Sequence, residues 1–96
     1  MRKIYKYKFT DSLTTIYIDD VYIEKFLHVE FQYDHLCVWA EVNTDRPPKT
    51  YELRAFGTGF PLDNGSTYIG TALTEGGTFV FHVYYIDLGW TKWVIQ

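Results

Sequence analysis

The 96-residue sequence predicts an all-β domain, either a small antiparallel β-sandwich or a partly open barrel of about seven strands. Aromatic residues make up 20% of the chain and stand among many Val, Ile and Thr residues, a composition that favours strands. Apolar and polar residues alternate in several short segments that turn-forming residues separate. No segment is long enough, with helical periodicity, to predict a helix of two turns or more.

The strongest strand signal lies in residues 26–42, which predict a β-hairpin with its turn at Asp34 and His35. Both residues tolerate positive φ, which a two-residue hairpin turn requires. This turn pairs Tyr33 with Leu36 and gathers eight uncharged residues on one face, which we expect to be the core face. The eight are Leu27, Val29, Phe31, Tyr33, Leu36, Val38, Ala40 and Val42.

The opposite face of this hairpin is polar. The same register pairs His28 with Glu41 and sets Glu30 beside Trp39. A slip of one residue would bury both glutamates, so the apolar pattern favours this register. The face is then either half-exposed sheet surface with one pH-dependent pair or the floor of a binding site.

Five other segments have the alternation or composition of strands. They are Arg2–Phe9, Thr14–Asp19, Thr50–Phe56, Tyr68–Thr74 and Thr78–Ile86. We expect the second of these segments to pair antiparallel with the first. Residues 22–25 then lead into the central hairpin, either as extended chain or as a single helical turn. The last two form a hairpin across residues 75–77. We therefore predict one β domain over residues 1–86 and a C-terminal extension over residues 87–96.

Length, charge and cysteine content limit the classes of function. A chain of this length forms one domain with a buried core. The net charge of −3 argues against general affinity for duplex nucleic acid or an anionic membrane. The single cysteine, Cys37, excludes an intramolecular disulfide and favours a reducing, intracellular compartment. The N-terminal residues alternate basic and aromatic side chains and lack the apolar run of a signal peptide.

The first predicted strand has a basic face and an aromatic face. Lys6 and Lys8 alternate with Tyr5 and Tyr7, and Lys3 lies nearby. Basic residues interleaved with aromatic ones can bind single-stranded nucleic acid by charge and stacking. Lysines also protect an edge strand from pairing with other chains, and both interpretations remain open.

The segment Gly57-Thr58-Gly59 is the main candidate for ligand binding. Two glycines around a threonine let backbone N–H groups approach an anion, although the segment matches neither a Walker loop nor a dinucleotide fingerprint. We expect Arg54 and His82 near this loop. A purely conformational loop and a buried, neutral His82 are the alternatives.

A cyclic nucleotide is one ligand that this loop would fit. The Gly57 loop and Arg54 would hold its phosphate, while Trp39 or a tyrosine would stack on its base. The acidic net charge counts against a multiply charged ligand unless two chains share the site.

The sequence contains no recognisable catalytic motif. Cys37 could be paired with His28 or His82 as nucleophile and base, but no third group is in place to orient the base. The three histidines, which include His35, lack the spacing of metal ligands. We therefore expect a protein that is not an enzyme and that uses no metal and no cofactor.

Five fragments in this order and spacing resemble an uncharacterised family of small proteins encoded mainly by bacteriophages and prophages. The fragments are IYKY, FLHV with LCVWAEV, FGTGFPL, YIGT and GGTFVFHVY. The likeness extends to about Tyr85, and the Asp34-His35 turn departs from the glycine-containing turn that is common in the family. The resemblance implies a phage-derived accessory protein in the host bacterial cytoplasm, and it implies no catalytic residues.

Three functions remain open from the sequence. The first is a non-enzymatic counter-defence protein that binds a host defence protein or sequesters a small nucleotide signal. The second is a structural or adaptor module, such as a minor virion component or a homo-oligomeric scaffold, with Trp90 and Trp93 at its interface. The third is a single-stranded nucleic-acid binder, which the acidic charge disfavours. No membrane partner is expected.

Overall fold

The computed structural model describes residues 1–10 and 14–92, in which 6 strands form one antiparallel sheet. The strands are β1 (Arg2–Lys8), β2 (Thr15–Gln32), β3 (His35–Asn43), β4 (Lys49–Gly57), β5 (Thr67–Leu73) and β6 (Val80–Trp90). A short 3₁₀ turn, Glu75–Gly77, joins β5 to β6. The predicted all-β class is confirmed. The strand number is lower than expected because two predicted strands are parts of one long strand, β2.

The sheet has the order β1-β3-β2-β4-β6-β5, and β2 belongs to both of its halves. Residues 22–32 of β2 pair with β3, whereas residues 15–21 pair with β4. We call β3 with its two neighbours the first half, and β4, β6 and β5 with the start of β2 the second half. The sheet curls so that the inner faces of the two halves meet, which is the predicted partly open barrel.

The core lies between these inner faces. The Phe26 and Tyr85 rings meet at a centroid distance of 4.6 Å, and the Phe31 and Phe81 rings at 5.8 Å. The most deeply buried side chains are apolar and come from both halves, because alternate residues of each strand point inward. They include Val38, Ala40, Val42, Leu53 and Val83.

A glycine lets β5 approach the first half closely. A Cβ atom on Gly70 would lie 3.0 Å from Cγ2 of Val29, a buried and β-branched residue. A larger residue at this position would push the two halves apart.

The hairpin turn lies at Tyr33 and Asp34, and not at the predicted Asp34 and His35. Tyr33 and Asp34 have φ values of 50° and 66°, and Phe31 pairs with Leu36. The register therefore differs from the predicted one by two residues, a slip that leaves each residue on the same face. Tyr33 is 91% exposed at the turn, so its predicted place in the core is wrong.

Two β-bulges in the part of β2 that pairs with β3 change which residues point inward. Both lie beyond the residues next to the turn. The register shifts between Phe26 and His28 and again between Ile23 and Lys25. A bulge adds a residue to one strand and re-aims the side chains beyond it. Leu27, predicted in the core, is consequently exposed, and Phe26 packs inward in its place.

The turn and the bulges also correct the predicted polar pairs. His28 lies opposite Trp39 and not opposite Glu41, which accepts a hydrogen bond from Arg2 at 2.7 Å. Glu30 lies opposite Cys37 and not beside Trp39.

The start of β2 pairs with β4, so the predicted pairing of Thr14–Asp19 with the first strand is wrong. Ile18 lies opposite Tyr51, and the strand continues through residues 22–25 without a helical turn. Val21 and Ile23 are buried, and the Ile23 N–H donates a hydrogen bond of 2.9 Å to the Tyr51 hydroxyl. Inward-facing branched residues favour the extended conformation here.

We expect two tyrosine-to-phenylalanine changes to have opposite effects on stability. The Tyr7 hydroxyl is buried without a hydrogen-bond partner in the described part of the chain, and burial raises its pKa. Tyr7→Phe removes this unpaired group and should raise the free energy of unfolding by about 1 kcal/mol. Tyr51→Phe leaves the Ile23 N–H unpaired and should lower it by about 1–2 kcal/mol.

Urea unfolding followed by tryptophan fluorescence measures both effects. If Tyr7→Phe destabilises the protein as much as Tyr51→Phe, the Tyr7 hydroxyl has a partner in solution and this interpretation is wrong.

Candidate functional site

A cleft of about 710 Å³ opens at the end of the second half, where β4 ends and β6 begins. Its size falls within the usual range of small-molecule sites. Most of its lining is apolar and includes Phe56, Phe60, Pro61, Phe79 and Phe81. Threonine hydroxyls and one guanidinium group, that of Arg54, are its polar groups. The cleft therefore suits a mainly apolar ligand group.

The predicted ligand loop forms a tight turn beside this cleft. The Phe60 N–H donates a hydrogen bond of 3.2 Å to the Gly57 carbonyl, and Gly59 has φ +92°, a value that favours glycine. A Cβ atom on Gly57 would lie 3.0 Å from the Phe60 ring, so glycine allows this ring to fold over the strand end. The loop thus positions Phe60 at the cleft, and Gly57 and Thr58 line it.

His82 contacts the same loop from β6. Hydrogen bonds join its Nε2 atom to the Thr58 hydroxyl at 2.9 Å and its Nδ1 atom to the Thr71 hydroxyl at 3.0 Å. The Thr71 hydroxyl is also hydrogen-bonded to that of Tyr68. Both ring nitrogens of His82 are thus engaged, and this histidine ties the Gly57 turn to β6 and β5.

Arg54 lies at the cleft but is already paired with two carboxylates. Its Nε atom donates to Glu52 at 2.5 Å, and its Nη1 atom donates to Asp63. Glu52 and Arg54 share one face of β4 because they are two residues apart on a strand. The hydrogen bond to the nearly buried Glu52 raises the pKa of Arg54, and the charge of the cation is balanced locally. Arg54 therefore has little free charge to offer a phosphate.

Trp39 is not part of this cleft. It lies on the outer face of the first half, opposite Lys6 and 5.7 Å from the His28 ring between centroids. Arg54 lies on the outer face of the second half, opposite Tyr84. The structure therefore brings Arg54, the Gly57 loop and His82 together. Trp39 lies on the other half of the sheet and is not near them.

Trp90, a predicted interface residue, ends β6. Its ring stacks on Tyr22 with 6.0 Å between centroids, and the Lys49 ammonium lies 5.1 Å from its ring centroid. The ring is 55% exposed. Trp93, the other predicted interface residue, lies outside the described residues.

The side chains that could carry catalysis or hold a metal are dispersed in the described ranges. Cys37 is buried, and its thiol donates to the His35 carbonyl at 3.5 Å. Across residues 1–10 and 14–92, no three side chains of His, Cys, Asp and Glu are grouped to hold a metal ion.

Sequence reasoning missed the aromatic residues that define the cleft. Neither Phe60 nor Phe79 is among the predicted ligand-binding residues, and both rings are exposed at the cleft. The FGTGF fragment contained a usable signal, because a glycine turn between two phenylalanines can bring both rings to one end of a strand pair. Glu52 could have been found as the partner of Arg54 from the two-residue spacing.

The fold and the site define a small β protein with a curled sheet and an open aromatic cleft. The chain belongs to the family described as Domain of unknown function (DUF7352), which matches residues 1–89. No curated protein and no solved structure matches the chain. None of the described segments is a helix with the length and hydropathy to cross a membrane.

We expect Arg54→Ala to lower the urea midpoint, because it leaves the carboxylate of Glu52 unpaired in a nearly buried position. The double variant Arg54→Ala, Glu52→Gln should recover most of the loss, since the neutral amide is less costly to bury. Asp63→Asn serves as the control, because Asp63 is exposed and its loss leaves the Glu52 pair intact. Equal midpoints for the single and double variants would contradict the proposed pairing.

Proposed function

We propose that this protein is a non-enzymatic binding protein whose cleft holds an apolar, preferably aromatic, side chain of a protein partner. The observation on which this proposal depends is that two exposed phenylalanines line the same cleft. Phe60 is 68% exposed and Phe79 is 61% exposed. Neighbouring exposed aromatic rings are typical of surfaces that bind other proteins, where such rings act as anchors.

The charges around the cleft favour a protein partner over a nucleotide. A nucleotide phosphate needs an unbalanced cation or free backbone N–H groups. Glu52 and Asp63 already bind Arg54, the only charged residue in the described lining, and the Phe60 N–H closes the Gly57 turn. The net charge of −3 adds to the unfavourable field for a polyanion.

We further propose that the partner is a host defence protein and that binding inhibits bacterial immunity. The resemblance of the sequence fragments to phage and prophage proteins supports this role, and we propose the host bacterial cytoplasm as the place where it acts. The aromatic cleft supports it by providing a surface through which a small protein could block a larger one.

A structural or adaptor role is the second candidate function. The half-exposed ring of Trp90, stacked on Tyr22 at the end of the sheet opposite the cleft, is the observation that favours it. A protein with this role would be found in purified virions or would form stable homo-oligomers.

A titration monitored by ¹⁵N–¹H NMR tests the ligand class. N-acetyl-phenylalanine amide should shift the amide signals of the Gly57 turn and the start of β6, with a dissociation constant on the order of millimolar for so small a probe. Cyclic diadenylate, tested in parallel, should cause no saturable shifts there. Phe79→Ser should abolish the response to the aromatic probe, because it removes one wall of the cleft.

Leu88→Ser is the matched control for this titration. Leu88 is 52% exposed near the end of β6, whereas Phe79 directly precedes the start of that strand, so Leu88→Ser should bind like the wild type. Saturable binding of cyclic diadenylate, or no response to the aromatic probe, would overturn the proposed ligand class.

A plating assay tests the biological role. Expression of the protein in bacterial strains that each carry one defence system should raise the plating efficiency of a phage that one of those systems restricts. The double variant Phe60→Ser, Phe79→Ser should lose this effect, because the proposed anchor pocket is gone, and Leu88→Ser should retain it. Unchanged plating across the panel would count against counter-defence, and protection by the double variant would count against the cleft.

A further inference from the structure

The free edge of β1 is a second surface that the cleft does not explain. β1 is the first strand in the sheet order, and among residues 1–10 and 14–92 it pairs with β3 on one side only. Its 7 residues run without a bulge, so the edge is regular along its whole length. Natural edge strands are usually shortened, bulged or interrupted by proline to prevent pairing. β1 has none of these features and carries only basic residues as protection.

The backbone groups that point out of this edge can be assigned from the pairing. The Phe9 N–H donates to the Leu36 carbonyl, and the Thr44 N–H donates to the Met1 carbonyl, each at 2.9 Å. Hydrogen-bonded pairs alternate along an antiparallel ladder, so the odd-numbered residues of β1 bond to β3. The N–H and C=O groups of the even-numbered residues therefore point outward, and those residues are Arg2, Ile4, Lys6 and Lys8.

The side chains of these even-numbered residues share the outer face of the sheet and are all exposed. Three of the four are basic. The Arg2 guanidinium bonds Glu41 and the Lys6 ammonium bonds Gln32, whereas Lys8 has no ion pair within the described ranges. A strand added at this edge would set its own side chains directly opposite these four.

The charge pattern selects the occupant of this edge. A second copy pairing antiparallel along the full strand would set Arg2 of each copy opposite Lys8 of the other, and like charges directly opposite are destabilising. An extended segment with acidic residues at alternate positions would instead meet these cations. Tyr5 and Tyr7, on the inner face, are half-buried and cannot stack on bases of a strand lying along Lys6 and Lys8, which disfavours single-stranded nucleic acid.

We propose that the β1 edge binds an extended acidic segment of a partner protein by strand addition. The segment runs antiparallel to β1, with acidic residues opposite Lys8, Lys6 and Arg2 and an apolar residue opposite Ile4. Backbone hydrogen bonds to the even-numbered residues hold it, and the charge pairs set its register. This inference does not depend on the cleft or on its ligand.

The test uses the full chain and a fluorescein-labelled peptide, Glu-Val-Glu-Val-Ile-Thr-Glu, in fluorescence anisotropy titrations. The peptide should bind saturably, and binding should weaken as salt rises from about 50 to about 500 mM. Lys6→Glu with Lys8→Glu should weaken binding by about tenfold or more, through loss of two cross-strand charge pairs. The control Lys92→Glu changes the net charge in the same direction away from this edge and should bind within about threefold of wild type.

Two further probes separate strand addition from simple charge attraction. Ile4→Pro removes an outward N–H while leaving the bonds to β3 in place, and proline is tolerated on the free side of an edge strand, so this variant should fold but lose the peptide. N-methylation of the third and fifth peptide residues, whose N–H groups would face β1, should likewise abolish binding. N-methylation of the second and fourth residues should not.

The proposal is overturned if the acidic peptide fails to bind the folded wild type, or if both backbone probes leave its affinity unchanged. It is also overturned if the labelled control peptide Lys-Val-Lys-Val-Ile-Thr-Lys binds equally well, or if oligothymidylate displaces the acidic peptide. Concentration-dependent dimerisation that Ile4→Pro removes would show that a second copy is the occupant and would overturn it as well.

Discussion

The pairing of one long strand with two different neighbours is the constraint on which the structure depends. β2 pairs with β4 through its first residues and with β3 through the rest. In the described sheet it is therefore the one strand whose backbone hydrogen bonds join the two halves. The strand must bend between these ladders while keeping apolar residues inward. Three register shifts in β2 accompany this bend, between Ile18 and Val21, between Ile23 and Lys25 and between Phe26 and His28, and each adds a residue to β2 and increases local twist. The inward position of Phe26, and hence its contact with Tyr85, follows from them.

The alternation of the sequence predicted much of this fold, and its failures have physical causes. Strand faces have a period of two residues, so the pattern excludes a slip of one but cannot detect a slip of two. The hairpin turn was therefore placed one residue too late, while Val29, Val38 and Val42 were correctly assigned to the core. The bulges carry no glycine or proline signal, so the exposure of Leu27 could not be predicted.

The candidate site was predictable in its position more than in its chemistry. The Gly57 loop, Arg54 and His82 do lie together, because adjacent antiparallel strands bring the end of β4 to the start of β6. The role of the loop could not be predicted from its sequence. A glycine can expose backbone N–H groups to an anion, and it can equally leave room for an aromatic ring. The balance of Arg54 by Glu52 and Asp63 required the folded geometry, because Asp63 lies beyond the turn.

Over the described residues, the barrel is not closed by hydrogen bonds where β5 lies against β2 at Gly70. Among the described strands β5 is hydrogen-bonded to β6, and at Gly70 its inward face lies against Val29 without backbone pairing. Separating β5 from β2 along this line would break no backbone hydrogen bond between described strands, so we expect local opening to cost less free energy here than within the paired strands. The inner aromatic layer, including the contact between Phe31 on β2 and Phe81 on β6, therefore lies behind an interface that side-chain packing alone would hold closed.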